Sequence, residues 1–143
     1  MIGVLILSHY GLADEFVGAL RHIVGELPHV RAIGLDPASA SPEDMRAQID
    51  KALREVDFGQ GVLVLVDMFG GTPSNLSLSF LEEGRVEVVT GVNLPMLVKV
   101  ARPKPGVGIH ELAETARDYG RRNISVASDL LANRDAVGEK PNA

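Results

Sequence analysis

Two short runs set the strongest constraint on this chain: IGVLILS at residues 2–8 and GVLVLVD at 61–67, built from Val, Ile and Leu with no polar alternation. A strand with one wet face alternates apolar and polar residues, so these two must be covered on both faces. That is the situation of strands inside a parallel sheet flanked by helices. Weaker strand patterns follow at 30–35 and 86–90. The segments between them have helical spacing. Residues 13–27 set Phe16, Val17, Leu20, Ile23, Val24 and Leu27 on one face, and 42–56 follow Ser41 as N-cap with Pro42 at the first helical position. Further helices are expected from near Pro73 with Thr72 as cap, from near Pro95, and from Ile109 to Tyr119, stopped by Gly120. Strands and helices in alternation specify βαβ units and a doubly wound α/β sheet. After Gly120 the stretch RRNISVAS alternates again and reads as a short fifth strand at a sheet edge. The last eleven residues, NRDAVGEKPNA, carry no periodic apolar signal and read as a frayed tail.

Composition narrows the function. At 143 residues, one domain is the natural reading, and 45% hydrophobic with 23% charged residues is globular rather than disordered. Fourteen Lys and Arg against nineteen Asp and Glu leave a net charge of −5, which opposes general nucleic-acid binding. Without cysteine there is no disulfide, thiol chemistry or zinc–thiolate site. No apolar run reaches the roughly 18 residues that span a bilayer, and the opening MIGVLILS is too short and β-branched for a signal sequence. A cytoplasmic location is therefore expected. The four histidines lie at spacings that make no metal site.

In a doubly wound sheet, ligands bind beyond the carboxyl ends of the strands, where the strand order reverses. The first and third strands are the most apolar and so form the expected central pair. Their carboxyl ends carry Ser8-His9-Tyr10-Gly11 and Asp67-Met68-Phe69-Gly70-Gly71-Thr72-Pro73-Ser74-Asn75. If the two strands are neighbours, His9 and Asp67 face each other. A carboxylate that takes the proton of one ring nitrogen fixes the tautomer and leaves the other nitrogen as a nucleophile. Gly70 and Gly71, followed by Thr72-Pro73 at a helix start and by Ser74, offer backbone N–H groups and hydroxyls suited to a phosphoryl group. Taken singly, each feature has a plain structural reading: a strand-end histidine, a capping aspartate, a serviceable strand-to-helix turn. Their joint placement is what favours chemistry. His22, His29 and His110 are read as non-catalytic.

At these residues the chain resembles the enzyme IIA component of the mannose-type sugar phosphotransferase system. The resemblance covers roughly residues 1–128 and rests on ILSHYGLA, VLVDMFGGTPSN and VVTGVNLPML. It implies one phosphotransfer domain over 1–128 and a tail, partly disordered, over 129–143. The implied fold is a flavodoxin-like, mostly parallel sheet in the order 2-1-3-4. To it the family adds a short C-terminal antiparallel strand exchanged in a homodimer, here RRNISVAS. The implied activity is that of a phosphotransferase: His9 accepts a phosphoryl group from the histidine phosphocarrier protein and passes it to an enzyme IIB partner, in sugar uptake or a regulatory cascade. Membrane components are reached only indirectly, and no cofactor is expected. Asp67 orients His9, while Gly70, Gly71, Thr72 and Ser74 surround the phosphate. Tyr10 and Phe69 are expected to meet the partners. The family usually has glycine directly after the histidine, where this chain has Tyr10, with Gly11 one place later.

Other readings remain at this level. A related phosphotransfer subunit of dihydroxyacetone kinase uses a similar domain. A flavodoxin-like binding module would need a hydroxyl-rich loop after the first strand and flanking aromatics, and the chain has six aromatic residues and no Trp. A receiver domain would use Asp67 as acceptor, but it needs an acidic pair after the first strand, and Asp14 and Glu15 come too late.

Overall fold

Apolar runs with no polar face leave the chain one economical solution, a parallel sheet with helices on both sides. The computed structural model describes residues 1–137. The order of elements is β1 (Gly3–His9), α1 (Leu12–Val24), β2 (Val30–Leu35), α2 (Pro42–Val56), β3 (Val62–Val66), α3 (Thr72–Leu78), β4 (Val86–Thr90), α4 (Leu94–Val100), α5 (Ile109–Arg122) and α6 (Ala127–Val137). The four strands are parallel and ordered β2-β1-β3-β4, as expected. The register places His9 beside Leu35, Leu7 beside Val66, and Val66 beside Thr90. The loops that follow β1 and β3 therefore leave the same edge of the sheet side by side.

Alternate residues of the central strands feed two cores. Val4, Ile6, Leu63 and Leu65 pack with α1, α4 and α5, while Leu5, Leu7, Val62, Val64 and Val66 pack with α2 and α3. Each side chain points to one face, yet both faces are dry, which is why the sequence shows no alternation. The helices are set by local chemistry. Ser41 Oγ accepts from the Asp44 N–H at 3.1 Å and Pro42 occupies the first turn. Asn93 does the same for α4, accepting from the Met96 N–H at 3.0 Å.

Three expectations are corrected. The cap of α3 is Gly71, not Thr72, and Thr72 is already helical. Gly120 does not stop α5, which runs to Arg122. That glycine is buried for packing: a Cβ there would lie 2.8 Å from Met96 Cε, and its carbonyl accepts from Asn93 Nδ2 at 3.0 Å. The segment RRNISVAS forms no strand. Residues 121–122 finish α5, and α6 begins at Ala127 with the Leu130 N–H donating to the Val126 carbonyl at 3.1 Å. Between them 123–126 form an irregular link, since an edge strand needs a paired neighbour for its backbone groups and this segment pairs with none among the described residues. Of the tail expected over 129–143, residues 129–137 belong to α6 and 138–143 lie outside the described residues.

Two glycines give opposite expectations. Gly18, inside α1, has open space where a Cβ would stand, so Gly18→Ala should gain about 0.5–1 kcal/mol in urea denaturation. At Gly34, on β2, a Cβ would lie 1.8 Å from the Tyr10 carbonyl oxygen. Gly34→Ala should lose about 1–3 kcal/mol. A neutral Gly34→Ala would contradict the seating of the Tyr10 turn against β2.

Candidate functional site

The parallel register of β1 and β3 brings His9 and Asp67 together. His9 Nδ1 lies 2.8 Å from Asp67 Oδ2, and the same oxygen accepts the His9 backbone N–H at 2.9 Å. The other carboxylate oxygen accepts the Met68 N–H at 3.0 Å. Burial pushes the Asp67 carboxyl up, but these hydrogen bonds outweigh it and hold the group below the usual carboxylate range. Asp67 is therefore ionised at neutral pH and can only accept. It follows that Nδ1 carries the proton and Nε2 keeps its lone pair.

Nε2 faces the loop after β3. A Cβ on Gly71 would come within 3.1 Å of Nε2 and 3.3 Å of Cε1. Glycine there leaves the nitrogen approachable, and its φ of 85° belongs to the region that disfavours side chains. The His9 side chain is 37% exposed and that of Asp67 10%, so the ring is open to solvent while the carboxylate that holds Nδ1 is enclosed. Of the expected phosphate ligands, Gly71 lies against the His9 ring, Gly70 precedes it at φ 87°, and Thr72 opens α3. Ser74, expected among the phosphate ligands, is fully buried, and its hydroxyl has no hydrogen-bond partner among the described residues. It stands behind the loop rather than at its surface.

The turn after His9 is held in an unusual conformation. Tyr10 has φ 50°, left-handed backbone that costs a non-glycine residue about 1–2 kcal/mol. Three features hold it there. The Tyr10 N–H donates to the Leu35 carbonyl at 3.0 Å, the Ser8 hydroxyl lies 3.2 Å from the Tyr10 carbonyl oxygen, and Gly34 leaves that carbonyl room. The tyrosine side chain points outward, and the residue is 66% exposed.

Ser8 is the residue that sequence reasoning missed. It is fully buried, and its Oγ accepts the Ala13 N–H at 2.7 Å, giving α1 a cap that Gly11 has no side chain to supply. A hydroxyl directly before the histidine and five residues ahead of the helix was the available signal. Two further apolar residues are exposed near Tyr10 and Phe69 in the sequence, Leu12 at the start of α1 and Met68 in the loop after β3, and Phe69 is 72% exposed. The remaining histidines lie elsewhere. His22 is exposed on α1. His29 is buried with Nε2 2.7 Å from the Ala101 carbonyl oxygen. His110 stands between Glu87 and Glu114 at 3.4 and 3.5 Å. Among the described residues no cluster has the donors for a metal ion, and no helix is long and apolar enough to cross a membrane.

Comparison with known proteins places this geometry in context. Residues 3–117 match the family model described as PTS system fructose IIA component, EIIA-man. The chain is 28% identical over 141 residues to the PTS system fructose-specific EIIA component of Bacillus subtilis, covering 94% of this chain and 96% of that protein. It is 30% identical over 125 residues to the PTS system mannose-specific EIIAB component of Escherichia coli K12, covering 86% of this chain and 38% of the longer protein. Among solved structures, the phosphotransferase system component EIIA from Streptococcus agalactiae superposes with a TM-score of 0.79 at 27% identity, covering 90% and 99% of the two chains.

Proposed function

The chain belongs to the EIIA-man family of phosphotransferase-system IIA components, which act in phosphotransfer for sugar uptake, and on that premise we propose that His9 Nε2 is its phosphoryl acceptor. The observation that carries this reading is the single oxygen of Asp67 that holds both the His9 backbone and Nδ1. The donor is the histidine phosphocarrier protein. Its phosphorus–nitrogen bond breaks as the Nε2 lone pair forms a new one, and the proton on Nδ1 stays in place. The ring gains positive charge in this step, and the Asp67 carboxylate stabilises it. The backbone of Gly70 and Gly71 and the hydroxyl of Thr72 receive the phosphoryl oxygens. In the second step an enzyme IIB nucleophile takes the phosphorus, the Nε2–phosphorus bond breaks, and the ring returns to its neutral tautomer. No cofactor enters either step, and the protein works in the cytoplasm.

Partner docking falls to the exposed apolar residues around His9. Tyr10 and Phe69, with Leu12 and Met68, offer a rim that a partner protein can cover while its own reacting residue meets Nε2. Tyr10, standing where the family usually has glycine, adds an aromatic surface at the cost of a strained backbone.

Asp67→Asn keeps the shape and removes the charge. Transfer from phosphorylated carrier protein, measured by quench flow, should slow more than about tenfold, or about 1.4 kcal/mol in the barrier. His9 should remain the labelled residue. The same substitution has a pH signature. Because the folded Asp67 carboxyl titrates below its unfolded value, its stabilisation is complete above about pH 3.9 and is lost as pH falls through the folded value. The variant should therefore melt lower than the wild type at neutral pH, with the gap closing in acid. Unchanged transfer, or label on any other histidine, would refute the assignment.

A homodimer completes this reading. β4 is the last strand of the sheet, and a groove of about 370 Å³ runs beside it, lined by Glu87, Thr90, Asn93, Met96, Arg117 and Ile124 among others. Ile124 is 75% exposed in the single chain, and Val126 is also exposed. For residues 122–128 of a second copy to extend along that free edge, the end of α5 and the first turn of α6 must unwind; the extended segment would then pair the edge backbone and bury both side chains. A chain ending at Asn123 should sediment as a folded monomer and the full chain as a dimer. A truncated chain that stays dimeric would contradict the exchange.

A further inference from the structure

The opposite end of the sheet carries a different kind of site. α4 starts at the carboxyl end of β4 and runs back to Ala101, whose carbonyl oxygen lies 2.7 Å from Nε2 of His29, the residue directly before β2. The loop after Ala101 therefore lies at the far end from His9. Together with α4 and α5 it borders a cavity of about 510 Å³ that is open to solvent, within the range of small-molecule sites, about 300–1,000 Å³. The wall is rigid. The Val107 N–H donates to the Lys104 carbonyl at 3.2 Å across a turn with Pro105 and Gly106 at its centre, Gly106 at φ 81°.

Three cations line this cavity, Lys99, Arg102 and Lys104. In a chain of net charge −5, none of the three is paired with a carboxylate among the described residues. Two are positioned by neutral groups. Arg102 Nη2 donates to the Val24 carbonyl at 2.7 Å, and the Lys99 ammonium lies 5.1 Å from the centre of the Tyr119 ring. Neither contact cancels the charge, and both partners stand just outside the cavity's lining. The lining also includes one carboxylate, Glu111, and the hydroxyl of Thr115.

We propose that this cavity binds a small phosphorylated polyol. A phosphate monoester carries about −1.5 to −2 charges at neutral pH, which three cations less one carboxylate match. Arg102 and the two lysines receive the phosphoryl oxygens, and Glu111 and Thr115 hydrogen-bond the hydroxyls. The site is separate from His9 and does not depend on the phosphotransfer reading.

The test is a titration of the full chain followed by backbone amide NMR, with glucose 6-phosphate as probe. Glucose, inorganic phosphate and sodium chloride at matched ionic strength are the comparison arms. Saturable shifts are expected at the amides of residues 99–102, 104, 106–107 and 111–115 with glucose 6-phosphate, weaker ones with inorganic phosphate, and none with glucose. The double variant Lys99→Gln, Lys104→Gln, both exposed positions, should keep its amide spectrum elsewhere and bind at least about tenfold more weakly. Shifts reproduced by sodium chloride, or undiminished in the double variant, would overturn the site. Inorganic phosphate binding as tightly as glucose 6-phosphate would overturn the polyol assignment.

Discussion

One carboxylate oxygen organises this molecule. Asp67 Oδ2 receives the backbone N–H and the ring Nδ1 of His9 at 2.9 and 2.8 Å. The first bond ties the end of β1 to the end of β3, and the second sets the tautomer on which nucleophilicity depends. Both are possible because β1 and β3 are adjacent and parallel, with Leu7 opposite Val66. Had the two strands been separated by another, the same residues would have no common site. The apolar character of the two strands, which forces them into the centre of the sheet, is thus the first cause of the chemistry at its edge.

Much of the surrounding structure holds that edge in shape. Ser8, Gly34 and the Leu35 carbonyl together keep Tyr10 in a left-handed conformation that its side chain disfavours. Gly71 keeps the space before Nε2 clear. These are short-range steric and hydrogen-bonding constraints, each resting on backbone already fixed by the sheet. Strain at Tyr10 is sustained because the turn is over-determined, and the result is an aromatic side chain displayed in the turn directly after His9.

The parts legible in the sequence were those governed by strong, local patterns. The unalternating runs at 2–8 and 61–67 specified buried parallel strands, and Ser41-Pro42 marked the start of α2. His9 and Asp67 could be paired because strand ends in such a sheet converge. Ser8 was not legible as a support, since its role depends on a helix N–H five residues later that folds back over the strand end. Gly120 misled for a related reason. Glycine near the end of a helical pattern suggests a stop, whereas here the absence of a side chain accommodates Met96. The alternation in RRNISVAS is genuine, but a strand needs a paired edge, and within the single chain residues 123–126 form an irregular link between α5 and α6. Ser74 read as one more hydroxyl in a polar loop, while its position on the inner side of α3 buries it.

The central claim is that Asp67 keeps the His9 proton on Nδ1 and leaves Nε2 free to take a phosphoryl group. Long-range proton–nitrogen NMR on the unphosphorylated protein, with the histidine rings labelled with nitrogen-15, reads this directly. At a pH where the ring is neutral, Nδ1 should show the shift of a protonated nitrogen and Nε2 that of an unprotonated one, and Asp67→Asn should disturb this pattern. A neutral His9 with its proton on Nε2 would contradict the account.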